Sequence, residues 1–340
     1  MKYLLLLLLL FASLLLSLGA GSVRFTVREI LSAISPDFLL AQGATAVSNT
    51  TRIIIVDLRL SRSVLAAVVG AALALSGAAF QGLFRNPLAD PFVIGASSGA
   101  ALGAALAIAL RVVVPVAGFS TVPAAAFAGS VLSVLLVYAL STAGTGRPPT
   151  VSLLLAGTAL SSLLSSVVSF IMAVRDSDLH QIFFWLLGGF GGSNWQHLVS
   201  ILPYVIPGIF MLFLLARPLD ILAFGEDSAQ TMGVGIGLTR ALAIAAASLT
   251  TAAAVAVSGI IGFVGLLAPH AARLVFGPSH RVLMPAAALI GAALLVLADI
   301  LARTVLSPVE LPVGVLTSIL GAPFFLFLLR SKRGVLGGGS

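Results

Sequence analysis

The sequence predicts an all-α, polytopic membrane protein of about ten transmembrane helices. Three observations lead there. Of the 340 residues, 59% are hydrophobic and only 9% are charged, against about 45–50% and about 25% in ordinary soluble domains. The mean hydropathy is +1.17. Apolar runs of roughly 20 residues, the length that crosses a bilayer as a helix, recur along the chain, whereas barrel strands would show ten-residue alternation. A soluble globular enzyme is excluded, and so is a disordered chain, which needs low hydrophobicity and high charge density. Little length is left for a soluble domain, so residues 1–340 read as a single transmembrane unit.

The chain opens MKYLLLLLLLFASLLLSLGAGS, one lysine followed by an apolar stretch from Leu4 to Leu18 and then small residues. That pattern fits a signal peptide as well as a first span. A chain this apolar needs no cleaved leader, which favours a retained helix. Residues 21–62 form the longest polar segment and read as an outer surface segment, with VRFTVREILSAI as a short amphipathic helix. Spans are then expected at 63–84, 92–114, 121–140, 151–174, 198–216, 239–260, a short one at 263–276, 282–304 and 313–329. Proline, glycine and charge separate them, as in RNPLADP (85–91), TAGTGRPPT (142–150), RPLDILAFGEDSAQTMG (217–233), GPSHR (277–281) and SPVELP (307–312).

Ten crossings put both termini on one side. With the N-terminus inside, ten Lys and Arg fall on inner segments and eight on outer ones, among them Arg24, Arg28, Arg52, Arg59 and Arg62. The positive-inside margin is thin, and the outer arginines call for a separate explanation. The net charge of +7 does not point to nucleic acid, because the basic residues are scattered and no aromatic RNA-binding motif accompanies them. There is no cysteine, which removes disulfides and thiolate metal sites. A weak internal repeat is visible: GAALALSG at 70–77 resembles AAAVAVSG at 252–259, and each leads into a Gly-Leu stretch that ends at a proline. The copies lie five crossings apart and would run in opposite directions, as in the inverted repeats of transporters.

Two loops carry the functional reading. In RNPLADP, two prolines and an asparagine break one helix, and Asp90 and Pro91 are suited to be the N-cap and first residue of the next. A broken helix at membrane depth survives only against protein or a water-filled path; the alternatives are an ordinary tight connection and a pore-lining constriction. In FGEDSAQTMGVG, a helix-length core from Glu226 to Met232 lies between glycines at 225, 233 and 235, with acids near its start, where the helix dipole favours them. Such a short helix is suited to docking into a groove on a partner.

From Asp57 to Arg330 the chain resembles the FecCD-type permeases of bacterial ABC importers for iron-siderophores, haem and cobalamin. The matching stretches are LRLSR (58–62), GAALALSGAAFQGLFRNPLADPFVIGASSGA (70–100), LLLAG (153–157), FWLLGGFGGSNW (184–195), GEDSAQTMG (225–233), SGIIGFVGLLAPHAARL (258–274), GPSHR, ADILAR (298–303) and ELPVGVLTSILGAPFFLFLL (310–329). They cover about four-fifths of the chain in unbroken order.

The resemblance implies a homodimeric permease in the bacterial inner membrane with both termini cytoplasmic. It also implies two ATP-binding cassette subunits inside and a periplasmic or lipid-anchored substrate-binding protein outside. The chain has no GxxxxGK(S/T) phosphate loop, so ATP would be hydrolysed on another polypeptide; no cofactor and no enzymatic step are expected of this one. By the same resemblance, Gly225, Glu226, Asp227, Ala229, Met232 and Gly233 (within residues 217–238) would couple to the ATPase. Asn86, Leu88 and Thr150 would form a cytoplasmic gate. Arg59, Arg62 and Arg303 would dock the binding protein, which would account for the outer arginines. Ser61 stands where the family usually has proline.

Asp299 and Arg303 are spaced to pair on one helix face, and a structural pair is the plainer reading for them. His180, His197 and His270 read as polar residues near the membrane surface, with haem ligation by His180 as the alternative; no paired spacing supports a transition-metal site. Trp185 and Trp195 fit an interfacial belt. The terminal GGGS is set aside from fold reasoning. A secondary transporter and a membrane enzyme or channel without an ATPase partner are the competing classes. GGFGG after FWLL resembles cobalamin importers more than siderophore ones, but the cargo stays open between siderophore, haem and cobalamin.

Overall fold

The computed structural model describes residues 1–21, 23, 25–34, 48–111, 120–142 and 150–336. The expectations for Arg24, for residues 143–149 and for the GGGS tail lie outside the described residues. The described part is helical without strands, and the helices number fourteen rather than ten. They are α1 (Lys2–Gly19), α2 (Val27–Ile34), α3 (Asn49–Leu83), α4 (Ala96–Ala109), α5 (Thr121–Thr142), α6 (Thr150–Val174) and α7 (Leu179–Leu186). The remainder are α8 (Trp195–Leu214), α9 (Ala216–Leu222), α10 (Glu226–Thr231), α11 (Ile236–Ser258), α12 (Val264–Phe276), α13 (His280–Thr304) and α14 (Val313–Leu336). Seven are long and apolar enough to cross a membrane, and α4, α12 and α14 add shorter apolar stretches. Each of these ten lies on a predicted span. The additional helices α2, α7, α9 and α10 are of at most eight residues; α2 and α10 lie on the short helices expected at 23–34 and 226–232, whereas α7 and α9 are below what a hydropathy reading resolves.

One boundary is well off. The predicted polar segment 21–62 is not all surface loop, because α3 begins at Asn49 and runs 35 residues without interruption. Over Ile53–Leu60 it is a π-helix, and the hydroxyl of Ser61, the next residue, donates back to the Asp57 carbonyl within it. π segments of this kind are frequent at functional sites. The amphipathic stretch does form α2, opened by a capping box in which the Glu29 carboxylate accepts from Thr26 N–H at 2.7 Å and Glu29 N–H donates to the Thr26 hydroxyl at 3.3 Å.

Antiparallel packing of α3 on α13 organises the molecule. Arg62 meets Asp299, Gly70 meets Gly291, and Gly82 meets His280, so the register holds along the whole contact. At Gly70 and Gly291 the backbones touch: a Cβ on either would run into the other's carbonyl oxygen. Small residues allow such approach where helices have no water to exclude. The interior accordingly is rich in alanine, with one cluster around Phe80 and another around Phe190. Large side chains such as Leu8, Leu135, Phe170 and Phe210 point outwards. The internal repeat has a structural counterpart, since α3 and α11 are each followed by a break and then a short helix, α4 and α12.

Candidate functional site

Two polar clusters lie at opposite ends of α3. At the first, Arg62 joins two acids. Its Nε and Nη2 donate to Asp299 at 2.8–3.1 Å, and its Nη1 donates to Glu310 at 2.9 and 3.1 Å. Asp299 is fully buried and also pairs with Arg303 Nε at 3.2 Å, the expected contact one turn along α13. Arg303 further donates to the Ser17 hydroxyl at 2.7 Å and to the carbonyls of Ser17 and Ala20. Arg59 donates to the carbonyls of Leu18 at 2.7 Å and Val23 at 2.6 Å, and lies over the Phe25 ring.

The three arginines expected to dock a partner are thus brought together, but not as open charges. Arg59 is 7% exposed and Arg303 8%. The reason is local: the last carbonyls of α1 have no partner within their own helix, and the guanidinium forks supply the donors. A cavity of about 450 Å³ lies beside the network, lined among others by Arg59, Arg62, Arg303 and Glu310.

At the other end α3 stops at Leu83, and the chain turns through Arg85, which lies in the left-handed region at φ +50. Asn86 and Leu88 are exposed, and the Asn86 side-chain oxygen accepts from Leu88 N–H at 2.9 Å, closing a tight turn. Asp90 caps the following 3-10 turn, Pro91–Ile94, by accepting from Phe92 N–H at 2.8 Å, with Pro91 first in the turn as expected. Burial pushes the Asp90 carboxyl up to about 6 despite that hydrogen bond. Residues 91–94 pack against α6. Thr150 opens α6, and its side chain lies outside the described residues.

Beside this break sits α10. Glu226 in its first turn accepts from Arg240 of α11 at 2.5 Å and faces Arg85 at 3.5 Å. Ala229 is buried and anchors the helix, while Asp227 and Met232 are exposed. With Phe224 and Leu238, both well exposed, Met232 gives this end an apolar rim. Gly225 and Gly233 bracket the helix with φ of +112 and +78. On the adjoining α9, Asp220 accepts from His280 N–H and Nδ1, both at 2.7 Å, and from the Ser279 hydroxyl at 2.8 Å, tying α9 to the start of α13. Burial opposes its charge, yet these hydrogen bonds hold the Asp220 carboxyl below the usual carboxylate range.

Arg85, Arg240, Asp220 and Glu310 received no role from the sequence. Arg85, Asp220 and Glu310 lie in the quoted breaker segments, where a concentration of charge between apolar runs was the signal available. The residues expected to couple and those expected to gate lie at the same end of α3, with Glu226 facing Arg85 of the break.

A third feature is the outward face of α6. Thr158, Ser162, Ser165, Ser166 and Ser169 are exposed and follow a helical spacing on one side. Thr158, Ser166 and Ser169 donate their hydroxyl hydrogens back to the carbonyls of Leu155, Ser162 and Ser165. Among the described residues no three His, Asp or Glu side chains converge as metal ligands.

Comparison with known proteins agrees with this architecture. The chain is 48% identical to the cobalamin import system permease protein BtuC of Halobacterium salinarum over 287 residues, covering 84% of this chain and 76% of the relative. It is 40% identical to the hemin transport system permease protein HmuU of Yersinia pestis, covering 82% and 83%. A solved inward-facing structure of a metal-chelate type ABC transporter superposes with a TM-score of 0.82 at 34% identity, over 96% of this chain and 97% of that one. The family model for FecCD transport proteins matches residues 7–331. Multi-pass, helical throughout the described residues and matched over residues 7–331, the chain belongs to the FecCD transport family of ABC permeases.

Proposed function

We propose that two copies of this chain form the path of an ATP-driven importer for cobalamin, haem or an iron chelate. A substrate-binding protein would deliver the cargo to the Arg62 end, and two separate ATP-binding subunits would dock on α10 at the break end. The polar face of α6 carries this reading. Five hydroxyl side chains gathered on one exposed face of a membrane helix are better placed against water or a second copy than against lipid. The hydroxyl hydrogens seen donating within the helix leave that face with few free donors, which suits a large cargo that must pass without being held. α10 complements it, because its apolar rim offers a seat and Glu226 connects that seat to the break. The break end then lies in the cytoplasm, and the gate of Asn86, Leu88 and Thr150 sits where the path must close between cycles.

Reconstitution tests the proposal. Proteoliposomes holding the permease and its ATP-binding subunits, given binding protein outside, should accumulate labelled cobalamin, haem or ferric chelate only with ATP. An uncoupler should leave uptake unchanged. Uptake that needs no ATP and collapses with the uncoupler would overturn the assignment in favour of an ion-coupled carrier.

A further inference from the structure

Arg62 uses Nε, Nη1 and Nη2 on internal acids. A carboxylate arriving from outside can pair with it only if one of them leaves. The two acids are not equivalent. The Asp299 side chain is 1% exposed and is shared with Arg303, so freeing it would leave an uncompensated charge in the interior, which is strongly unfavourable. The Glu310 side chain is 49% exposed, sits on the connection between α13 and α14, and has its ion pair with Arg62. An ion pair this open to solvent contributes only about 0–1 kcal/mol. Glu310 also borders the cavity that Arg59, Arg62 and Arg303 line, so the place it would vacate opens onto free space. Three arginines face two acids here, which leaves the cluster with one positive charge in excess and attracts a further anion.

We propose that Glu310 is the internal occupant of a carboxylate seat on Arg62 Nη1, and that an acidic side chain of a docking partner protein displaces it. This rests on the reading above that a partner docks at the Arg62 end through acidic side chains, and adds the internal competition by Glu310. An arriving carboxylate takes the Nη1 hydrogen bonds while Glu310 turns to water, so the number of pairs is conserved and the net affinity stays modest. A partner held in this way can leave when its delivery is complete, because Glu310 refills the seat.

The test uses the full-length homodimer in phosphatidylcholine nanodiscs, with fluorescent hexaglutamate as the probe and hexaglutamine as its uncharged counterpart. Glu310→Gln removes the competitor, and its exposed position keeps the fold intact. We expect hexaglutamate to bind Glu310→Gln roughly tenfold more tightly than wild type at low salt, about 1.4 kcal/mol. Adding Arg62→Lys, which keeps the charge but loses the fork, should abolish the gain. Equal affinity of wild type and Glu310→Gln for hexaglutamate overturns the proposal, as does a gain that survives Arg62→Lys. The assay needs neither ATP nor cargo. If peptide affinity rises while reconstituted uptake fails, the seat stands and the importer reading falls; if uptake proceeds and peptide affinity does not change, the reverse holds.

Discussion

Glu226 and Arg85 face each other at 3.5 Å across the gap between α10 and the break that ends α3. Both side chains are close to half exposed, and Glu226 makes its tighter contact with Arg240. Solvent-exposed pairs contribute little to stability, so this one is better suited to keeping α10 and the break in step. Replacing Glu226 with glutamine should leave the melting temperature within a few degrees of wild type. It should lower cargo moved per ATP hydrolysed several-fold in proteoliposomes. An unchanged transport-to-hydrolysis ratio would remove Glu226 from the coupling route.

Gly233 follows α10 at φ +78, with open space around the position where a Cβ would stand. A side chain there meets no neighbour but strains the backbone, by about 1–2 kcal/mol for a residue that avoids the left-handed region. Gly233→Val should insert and dimerise but fail to retain its ATP-binding subunits in pull-down. Gly192, at φ +76 and equally open near the other end, supplies the control. Gly192→Val carries the same strain and should co-purify with the ATPase normally.

Because the chain has no cysteine, a single thiol reports its own surroundings without background. If two copies pair as proposed, Leu88→Cys should crosslink to its mate with a short bifunctional reagent. The yield should depend on nucleotide, since a gate changes its population between open and closed states. Crosslinking should block uptake. Absence of a crosslink in every nucleotide state would move the gate away from the break.

Asp220 gives a pH dependence with a definite sign. Its carboxyl is held below the ordinary value of 3.8 by the donors on His280 and Ser279. A lowered pKa in the folded protein stabilises the fold above the unfolded value, and that contribution is lost as the pH falls through the folded value. Wild type should therefore lose more thermal stability than Asp220→Asn between pH 5 and pH 3, roughly the window in which carboxylates titrate. At neutral pH, Asp220→Ala should cost about 2–3 kcal/mol, because the buried donors on His280 lose their acceptor. Parallel melting curves for wild type and Asp220→Asn across this range would contradict the assignment.

The membrane helices were legible because bilayer thickness imposes a length on each, and the breaks because proline and glycine act locally. Asp90 and Pro91 are capping residues in both sequence and structure for the same reason. Short helices such as α9 carry no such length signal, and the sequence predicts α3 only from residue 63 because charges at Asp57, Arg59 and Arg62 look like loop composition. The partners of Arg62 lie more than two hundred residues away, at Asp299 and Glu310, and those of Arg59 are carbonyls at and just after the end of α1. Charge read along a chain locates a polar segment but cannot tell a surface arginine from one that closes a helix end.

The backbone contact of Gly70 with Gly291 has a mechanical consequence. It clamps α3 and α13 near their middles, leaving little freedom for one to slide on the other. Between Arg62 and Leu83, α3 is an uninterrupted rod of roughly 30 Å at about 1.5 Å per residue. A tilt of about 5° about the Gly70 clamp swings the Leu83 end, about 20 Å away, by nearly 2 Å. A disturbance at Arg62 can therefore reach Arg85 and the break as leverage, with no chain of side-chain rearrangements in between.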